Sequence, residues 1–526
     1  MKYYNDISKL VIARTIRNWV PHFLSREERD AFFAHTLEDI RIIRALESAK
    51  QSLVTDDIRI EDELFLTRLD YRVTFTRIFR INDLPDEIFA NIVRYIVWSA
   101  PDPTQGVRWR LWLTWTCRHW RTVAIADPTL WNAIWFRDRP LYEQSFAWLD
   151  RSGDAPLDLR INDTTEQRFT PETLGLLLDK IFTKLSTIRM LIVIVEDWEP
   201  ALLILDKLRV VAQEKVPMIM ERLELHRSGL PYVQLGNGYD HYAHPIPLFG
   251  GAAIPTLNYF SINGIHVDWS NSILSNLTAI DMRRIPLDRA PSLDCFRAML
   301  SNSPRLRKLI LDGAGPSAPN ENHYNSPVKL LALRSVVIAH FTCDYGRWVL
   351  AHIDAPHVRD FTLMNLSDDD RNSSIYRSLA GKFTELRLLT VWNVKRSDKP
   401  GTLQTMVKWL ESIPQLEYLR IANASEAFMD LFLYDSQTLM HSSEQLPKSI
   451  ICPKLTILDC QLVNADIIVK WGKERARIGA PLTTIYISKK MENTITNDQR
   501  LALAGVATVR VLEPGAKTPE EDELSK

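Results

Sequence analysis

Cysteine is scarce and scattered in this chain of 526 residues. Its five cysteines form no CxxC pair and stand at Cys117, Cys295, Cys343, Cys452 and Cys460. A disulfide framework or a cysteine-ligated zinc site needs paired or closely spaced thiols. The sequence therefore predicts reduced thiols, as in the cytosol or the nucleus.

Net charge and long apolar runs are also lacking. Lys and Arg (64) nearly cancel Asp and Glu (65), so the whole chain has no field that attracts nucleic acid or an anionic membrane. The longest aliphatic run, Met190 to Val195, is too short to cross a bilayer. The first residues lack the apolar core of a signal peptide. We therefore expect a cytoplasmic or nuclear protein that binds neither nucleic acid nor membrane.

The motifs of common catalytic and metal sites are absent from the sequence. It contains no GxSxG, HExxH, P-loop or GxGxxG pattern. His241 and His244 lie in a segment rich in Gly and Pro, which favours a surface loop. Pro356 would break the helix needed to align His352 with His357. We expect no enzymatic activity, no cofactor and no metal site.

Residues 1–80 are predicted to form a helical extension. Ser25 and Glu28 have the spacing of a capping box, in which each side chain bonds to the other residue's backbone N–H. Apolar residues then recur at close to a 3.6-residue period as far as Leu53, and a second candidate helix continues to Ile78. The two helices could pair with each other, pack on the next segment, or form a coiled-coil dimer with irregular heptads.

Residues 81–137 are dense in tryptophan. Eight of the chain's fifteen tryptophans lie within about fifty residues that begin at Trp98. Pro85 suits the first turn of a helix, and Asp86 with Glu87 favours the positive end of the helix dipole. An apolar stripe follows at four-residue spacing, at Leu84, Ile88, Ile92 and Ile96. These features predict a compact helical bundle.

Three blocks of this segment resemble the F-box family, in the family's order and near its distances. The blocks are Leu84-Pro85-Asp86-Glu87-Ile88-Phe89, Cys117-Arg118-His119-Trp120 and Asp127-Pro128-Thr129-Leu130-Trp131. The stretch from Trp148 to Leu159 resembles the junction in large fungal F-box proteins of basidiomycete type. The connection from Ala100 to Gly106 departs from the motif, because it is longer.

The resemblance implies a small bundle that docks on the Skp adaptor of an SCF-type cullin-RING ubiquitin ligase, and through it on the cullin scaffold. The residues that would meet the adaptor are Leu84, Pro85, Ile88, Phe89 and Ile92. Trp120, Leu130 and Trp131 would either contact it or pack the bundle. The alternative is that these residues are only the core of a helical domain.

Residues 138–512 repeat one short pattern, apolar–x–x–apolar–x–apolar. Its twelve copies begin at Ile188, Met220, Leu257, Leu277, Leu306, Leu333, Val358, Leu386, Leu416, Leu455, Leu482 and Val506. The steps run from 20 to 39 residues and average about 29, at the upper edge of the leucine-rich-repeat range. Such units stack around one continuous core. The predicted fold class is α/β: a helical N-terminal region and bundle, then a leucine-rich-repeat solenoid with a parallel concave sheet.

Asparagine recurs at a fixed place after three consecutive copies of the pattern, at Asn365, Asn393 and Asn423. Its side chain can satisfy backbone groups in the turn that follows a strand. We therefore expect these residues to stabilise the turns between stacked coils.

Residues between the apolar positions should point outward onto the concave face. Those whose size or charge suits protein binding are Tyr259, Lys308, Asp360, Trp392, Tyr418, Arg420 and Asp459. For each one singly, packing on a neighbouring coil is an equal alternative. Residues 513–526 are acidic and nearly free of large apolar side chains, which predicts a disordered tail.

These features together predict a substrate-recognition adaptor of an SCF-type ligase. Residues 81–137 would bind the Skp adaptor, and the repeat array would bind a protein target whose identity the sequence does not give. No dense basic cluster is evident on the inferred concave face, so a need for target phosphorylation does not follow. The alternative is a non-catalytic leucine-rich-repeat scaffold without a ligase role.

Overall fold

The structure is a computed structural model that divides into two compact units, Met1–Leu130 and Trp131–Lys526. It describes residues 25–52, 58–78, 81, 84–100, 102–165, 167–229, 245–318, 326–366, 373–394, 400–424, 426–433 and 450–524. The histidine pair His241 and His244 lies outside these ranges.

The described part of the first unit is helical. Its helices are α1 (Arg26–Ser52), α2 (Ile58–Ile78), α3 (Asp86–Trp98), α4 (Pro103–Thr116) and α5 (Arg118–Ala126), followed by a 3-10 turn at Pro128–Leu130. The predicted capping box starts α1: the Ser25 N–H donates to Glu28 Oε2 at 2.8 Å, and the Glu28 N–H donates to Ser25 Oγ at 3.2 Å. The sequence therefore defines the start of this helix.

Helices α1 and α2 pair with each other, which is one of the three arrangements that the sequence allows. Three ion pairs cross between them in antiparallel order, namely Lys50–Glu61, Glu47–Arg68 and His35–Asp70. All three are at least partly exposed to solvent, so their contribution to stability is small. Their value lies in fixing the register of the hairpin.

The described residues of the second unit form a parallel sheet of fourteen strands that pair in chain order. The strands of the unit are β1 (Ala133–Phe136), β2 (Leu157–Asn162), β3 (Ile188–Val195), β4 (Arg222–Arg227), β5 (Tyr259–Asn263), β6 (Ala279–Arg283), β7 (Lys308–Asp312), β8 (Val328–Lys329), β9 (Ser335–Ala339), β10 (Ile353–Asp354), β11 (Asp360–Met364), β12 (Leu388–Trp392), β13 (Tyr418–Ala422), β14 (Ile457–Gln461), β15 (Thr484–Ser488) and β16 (Thr508–Leu512). Strands β8 and β10 stand apart and pair with each other.

Helices and short turns connect these strands. The helices are α6 (Glu143–Arg151), α7 (Pro171–Phe182), α8 (Trp198–Leu208), α9 (Val210–Gln213), α10 (Leu293–Ser301), α11 (Cys343–Ala351), α12 (Ser373–Leu379), α13 (Pro400–Glu411), α14 (Glu426–Met429), α15 (Ala465–Arg477), α16 (Lys489–Glu492), α17 (Asn497–Ala504) and α18 (Pro519–Leu524). Within the part of the chain that the structure describes, no helix is both long enough and apolar enough to cross a membrane.

The predicted leucine-rich-repeat solenoid is confirmed by the strand register. Each of the twelve sequence copies contributes one strand to the large sheet. The two later apolar positions of a copy face the core: in β13, Leu419 and Ile421 are fully buried. Because every neighbouring pair of strands is parallel, each unit covers the apolar edge of the next.

The array begins earlier than the sequence predicts. Trp131, Ile134 and Phe136 follow the same apolar spacing and are all buried, so the first strand starts before residue 138. In the next copy Pro156 takes the first apolar place, which hides that strand from the pattern. The boundary that we predict after residue 137 therefore falls after Leu130 in the structure.

A ladder of side chains runs along the turns after β11, β12 and β13. Asn365, Asn393 and Asn423 have φ of 46°, 50° and 50°, a left-handed conformation that asparagine tolerates better than most residues. Asn393 Nδ2–H donates to Asn365 Oδ1 at 3.0 Å, and Asn423 Nδ2–H donates to Asn393 Oδ1 at 3.0 Å. Where the sequence predicts bonds to backbone groups, the structure shows amides bonding to each other across repeats.

The ladder continues toward the start of the array through a histidine. His340 has φ of 57°, and its Nε2 accepts a hydrogen bond from Asn365 Nδ2 at 2.8 Å. Its Nδ1–H then donates to Asp312 Oδ1 at 2.6 Å. Five consecutive repeats are thus joined at one edge of the sheet by their side chains.

We expect the middle asparagine of the ladder to act through both its amide and its backbone. Asn393→Ala should lower the free energy of unfolding by about 2 kcal/mol, since it removes two hydrogen bonds and leaves a Cβ in the left-handed region. Asn393→Gly loses the same bonds without that steric cost, so it should be about 1 kcal/mol less destabilised. Urea unfolding followed by circular dichroism measures both. Equal losses would rule out the backbone contribution.

Candidate functional site

Helix α3 of the first unit has one buried face and one exposed apolar face. The buried residues are Phe89, Val93 and Val97. On the other side Ile88, Tyr95 and Ile96 expose 48%, 76% and 40% of their surface, and Ile92 between them is half-buried. A contiguous apolar face on a folded bundle is typical of a protein-interaction surface.

The sequence blocks of the bundle contact each other. Arg94 Nε donates to Asp127 Oδ2 at 2.6 Å, which joins α3 to the turn that follows α5. The other oxygen of Asp127 accepts from the Thr129 N–H and hydroxyl, at 3.1 and 2.8 Å. His119 Nε2 lies 3.6 Å from Asp86 Oδ1 at the start of α3. These contacts hold the exposed face of α3 in one orientation within the bundle.

Three of the residues predicted to meet an adaptor are buried instead. Phe89 is 1% exposed, and its ring lies 4.9 Å from that of Trp120 and 5.8 Å from that of His119. Leu130 is also buried. Trp131 belongs to the second unit, where its ring packs on Trp148. Phe89 therefore has a core role and not the predicted surface role, whereas for Leu130 and Trp131 the sequence also allows a packing role.

The remaining predicted positions stay accessible. Pro85 and Ile88 are exposed, while Leu84, Ile92 and Trp120 are half-buried. The structure adds Tyr95 and Ile96, which lie seven and eight residues after Ile88 and so share its side of the helix. The four-residue spacing of the sequence already includes Ile96, but spacing alone does not show which stripe is the exposed one.

On the second unit, the strand residues that alternate with the buried core positions share one side of the sheet, and we call it the open face. In β13 the side chains of Tyr418 and Arg420 alternate with the buried Leu419 and Ile421, so they lie on that side. All seven predicted target-binding residues occupy equivalent alternate positions. The open face is therefore the face that the sequence predicts to be concave.

The seven residues form separate groups on this face. Tyr259 lies under the Arg222 guanidinium, 4.1 Å from the ring centroid. Asp360 Oδ2 accepts from Ser335 Oγ at 2.7 Å, and burial raises the pKa of this carboxyl. Lys308 is exposed on a nearby strand. Trp392 is half-buried near the end of β12.

The remaining three residues, Tyr418, Arg420 and Asp459, form one hydrogen-bonded network. Arg420 Nε donates to Asp459 Oδ2 at 2.5 Å, and Tyr418 Oη donates to the same oxygen at 3.1 Å. Arg420 Nη2 donates to Glu521 at 2.5 Å. Burial lowers the pKa of Arg420, but the bonds and charges of the two carboxylates outweigh it, and the pKa is raised.

The tail segment, residues 513–524, covers this network. Its helix α18 begins with a capping box in which Thr518 and Glu521 bond to each other's backbone N–H at 3.3 and 2.9 Å. Leu524 packs in an apolar cluster on the open face, with Leu388, Tyr418 and Tyr486. Tyr418 and Asp459 are 0% exposed as a result.

The predictions for this part of the chain differ from the structure in two ways. The segment from residue 513, which is predicted to be disordered, contains a capped helix. Leu524 packs against the sheet, and the helix carboxylates form ion pairs with Arg420 and Arg510. Tyr418 and Asp459, predicted to face a target, are enclosed by that helix. The open face beside it remains accessible.

A cleft of about 570 Å³ lies on the open face next to the tail segment. Its basic lining residues are Arg307, Lys308, Arg334, Arg420 and Lys517, and its acidic ones are Asp360, Glu521 and Asp522. Two of the predicted target-binding residues, Lys308 and Asp360, are thus brought together with Arg420 in one depression. This cleft is a candidate site on the open face.

Sequence reasoning missed a row of arginines at the edge of the cleft. Four strands that pair in succession, β7, β9, β11 and β12, are each preceded by an arginine, at Arg307, Arg334, Arg359 and Arg387. The signal is present in the sequence, because an arginine follows the first apolar residue of four consecutive copies. A count of charge over the whole chain hides it.

Two histidine arrangements bear on metal binding. His352 and His357 contact different partners, the Trp348 carbonyl at 2.9 Å and Glu385 at 2.8 Å. In the first unit, the ligand atoms of His35, Asp39 and Asp70 lie within 4.8 Å of one another, near enough for one divalent cation.

In this trio, His35 already contacts both Asp39 and Asp70. His35 Nε2 bonds to Asp70 Oδ2 at 2.8 Å, and this bond raises the pKa of His35. Asp39 is buried, and burial raises its pKa as well. The contacts of His35 with the two carboxylates account for the arrangement.

The chain matches no family model and no curated protein sequence. Among solved structures, it is similar to the leucine-rich-repeat-containing protein LegL7 from Legionella pneumophila, at 12% sequence identity and a TM-score of 0.30. The match covers 74% of this chain and 96% of that chain. At that TM-score, the repeat architecture described above depends on the strand register of this chain alone.

Proposed function

We propose that this chain is a non-catalytic adaptor that brings a protein target to an SCF-type ubiquitin ligase. The exposed face of α3 would bind the Skp adaptor, and through it the cullin scaffold. The open face of the sheet would bind the target. The contribution of such a protein is proximity, since it raises the effective concentration of a target lysine near an enzyme that carries ubiquitin.

The observation that carries the adaptor-binding half is the two-faced character of α3. Phe89 and Val93 hold the helix on the bundle, while Ile88, Ile92 and Tyr95 leave an apolar stripe uncovered. Burying each large apolar side chain contributes roughly 1.5–3 kcal/mol of transfer free energy, from which the cost of association is subtracted. The uncovered stripe on α3 therefore supports the proposed binding to the adaptor.

The target-binding half is supported by the chemistry of the open face. Its strands present Tyr, Arg, Lys and Asp side chains from successive repeats, at Tyr259, Lys308 and Asp360 among others. Aromatic and arginine side chains are enriched at interface hot spots. A scaffold without a ligase role would use the same face, so the behaviour of α3 decides between the two functions.

We expect the double substitution Ile88→Ala and Ile92→Ala to weaken binding to a purified Skp adaptor by about 2 kcal/mol or more, which is about thirty-fold in Kd. Both side chains are at least partly exposed, and alanine keeps the helix. Biolayer interferometry with the full chain measures the change. A matched control is Leu176→Ala with Leu501→Ala, two exposed truncations on helices of the second unit.

The Phe89→Ala variant separates binding from folding. Because Phe89 is buried, its loss should lower thermal stability by creating a cavity. The double variant should leave thermal stability unchanged. The ligase role is contradicted if the intact chain does not bind the adaptor, or if the double variant binds it as tightly as the intact chain does. Either result favours the scaffold function.

A further inference from the structure

The arginine row gives the open face a local charge that the whole chain lacks. The backbone carbonyl of Arg307 accepts the N–H groups of Arg334 and Ser335, at 2.9 and 3.0 Å. The carbonyl of Arg334 accepts in the same way from Arg359 and Asp360. Neighbouring strands lie roughly 4.8 Å apart, so the ladder places cationic side chains side by side on successive strands.

Only part of this charge is neutralised within the described residues. Arg387, at one end of the row, pairs with Glu417 at 2.9 Å. Arg334 donates to the carbonyls of Leu331 and Leu333, at 2.9 and 3.1 Å, which are uncharged acceptors. Among the residues that the structure describes, Arg307 has no carboxylate within ion-pairing distance.

The carboxylates of the cleft are engaged elsewhere. Glu521 pairs with Arg420, and Asp522 pairs with Lys517. Asp360 accepts from a serine hydroxyl, and burial raises the pKa of its carboxyl, so it is one carboxylate beside three cations. Arg307, Lys308 and Arg334 therefore form an excess of positive charge at one end of the cleft. Like charges at this spacing repel, and an anion placed between them relieves the repulsion.

The same face already binds one acidic segment, the tail segment of this chain. Its Glu521 binds Arg420, and its Glu520 accepts from Tyr486 Oη at 2.8 Å. The residue that anchors it, Leu524, is apolar. The open face thus binds carboxylates with cations and phenols, and the free cations of the cleft extend that chemistry beside α18.

We propose that the cleft binds an acidic segment of a partner protein, with carboxylates directed at Arg307, Lys308 and Arg334. The segment lies alongside the tail segment and uses the cations that the tail leaves unpaired. This proposal rests on the target-binding role of the open face, and it adds the chemical class of the target. It requires no contribution from the first unit.

The test uses the full chain and fluorescein-labelled peptides of alternating Glu and Ala. Fluorescence anisotropy compares the intact chain with the double variant Arg307→Glu, Lys308→Glu. The matched control is Lys180→Glu with Lys473→Glu, which makes the same change in net charge at two exposed lysines on helices. All four side chains are exposed, so circular dichroism should show the same thermal midpoint for the three proteins.

We expect the peptide to bind the intact chain and the control variant, and to bind the double variant about ten-fold or more weakly. Binding should also weaken as ionic strength rises. A peptide with Gln in place of Glu that binds equally well would overturn the proposal. So would an unchanged affinity of the double variant.

Two further probes identify the source of the negative charge. A phosphoserine–Ala peptide that binds while the Glu–Ala peptide does not would overturn the assignment to carboxylates. A single-stranded oligonucleotide that displaces the acidic peptide more effectively than unlabelled peptide would overturn the assignment to a protein partner. The result is independent of the Skp adaptor: peptide binding in a chain that fails to bind the adaptor supports the cleft and removes only the ligase role.

Discussion

Replacing Arg475 with methionine should lower the free energy of unfolding by about 3–5 kcal/mol. The Arg475 side chain is fully buried in the second unit, and burial lowers its pKa to about 10. Its guanidinium donates to five backbone carbonyls, those of Phe432, Ile451, Cys452, Leu455 and Ala480, at 3.0 to 3.4 Å. Each buried carbonyl left without a donor costs about 1–3 kcal/mol.

The position of this arginine explains why the loss should be large. Phe432 and Ile451 lie on either side of residues 434–449, which are outside the described part of the chain. Arg475 binds both, so it fixes the two ends of that long connection against the repeat that follows. Methionine fills a similar volume but donates no hydrogen bonds.

A control on the same helix makes this prediction specific. Arg477 is exposed and pairs with Glu474 on the same helix, so Arg477→Met should change the free energy of unfolding by less than about 1 kcal/mol. Urea unfolding followed by far-ultraviolet circular dichroism compares the two variants. A similar loss of unfolding free energy in both variants would show that the hydrogen bonds of the buried guanidinium do not stabilise the fold.

Replacing Arg420 with methionine should release the tail segment from the open face. The substitution leaves Asp459, which is 0% exposed, without its cation, and removes the partner of Glu521. Breaking a buried ion pair on one side costs about 3–5 kcal/mol, because the remaining charge stays desolvated. The tail provides an easy readout, since Lys517 is exposed and becomes a better trypsin site when α18 detaches.

Limited trypsin digestion with mass spectrometry should show faster cleavage after Lys517 in the Arg420→Met variant than in the intact chain. The control is Arg510→Met, since Arg510 is about half exposed and its contact with Glu520 is longer, at 3.6 Å. A double-mutant cycle with Glu521→Gln gives the coupling energy between helix and sheet. Equal cleavage rates in all variants would show that Arg420 does not hold the tail.

The repeats are predictable from sequence because their spacing follows directly from the backbone. A strand that buries alternate residues and repeats about every 29 positions produces the same spacing of apolar residues in each copy. Trp131 follows that spacing, but the resemblance of residues 84–131 to the F-box family assigns it to the bundle. The structure shows that it fills the first core position of the array.

Which residues are exposed is less predictable, because it depends on how each helix is rotated about its axis and on contacts with residues distant in sequence. Ile88 and Phe89 are neighbours in sequence, but successive helix residues are rotated by about 100°, so one is exposed and the other is core. Tyr418 and Asp459 are covered by the helix Pro519–Leu524, which lies far from both of them in the chain. No local pattern around either residue contains that information.

The tail segment also changes how the last repeats should open and close. In a stacked array each unit contacts only its neighbours, so terminal repeats normally fray independently of one another. Here Leu524 joins Leu388, Tyr418 and Tyr486, which belong to strands β12, β13 and β15. We infer that these repeats form a single cooperative foldon, whose amide protons share one opening free energy while the tail segment is in place.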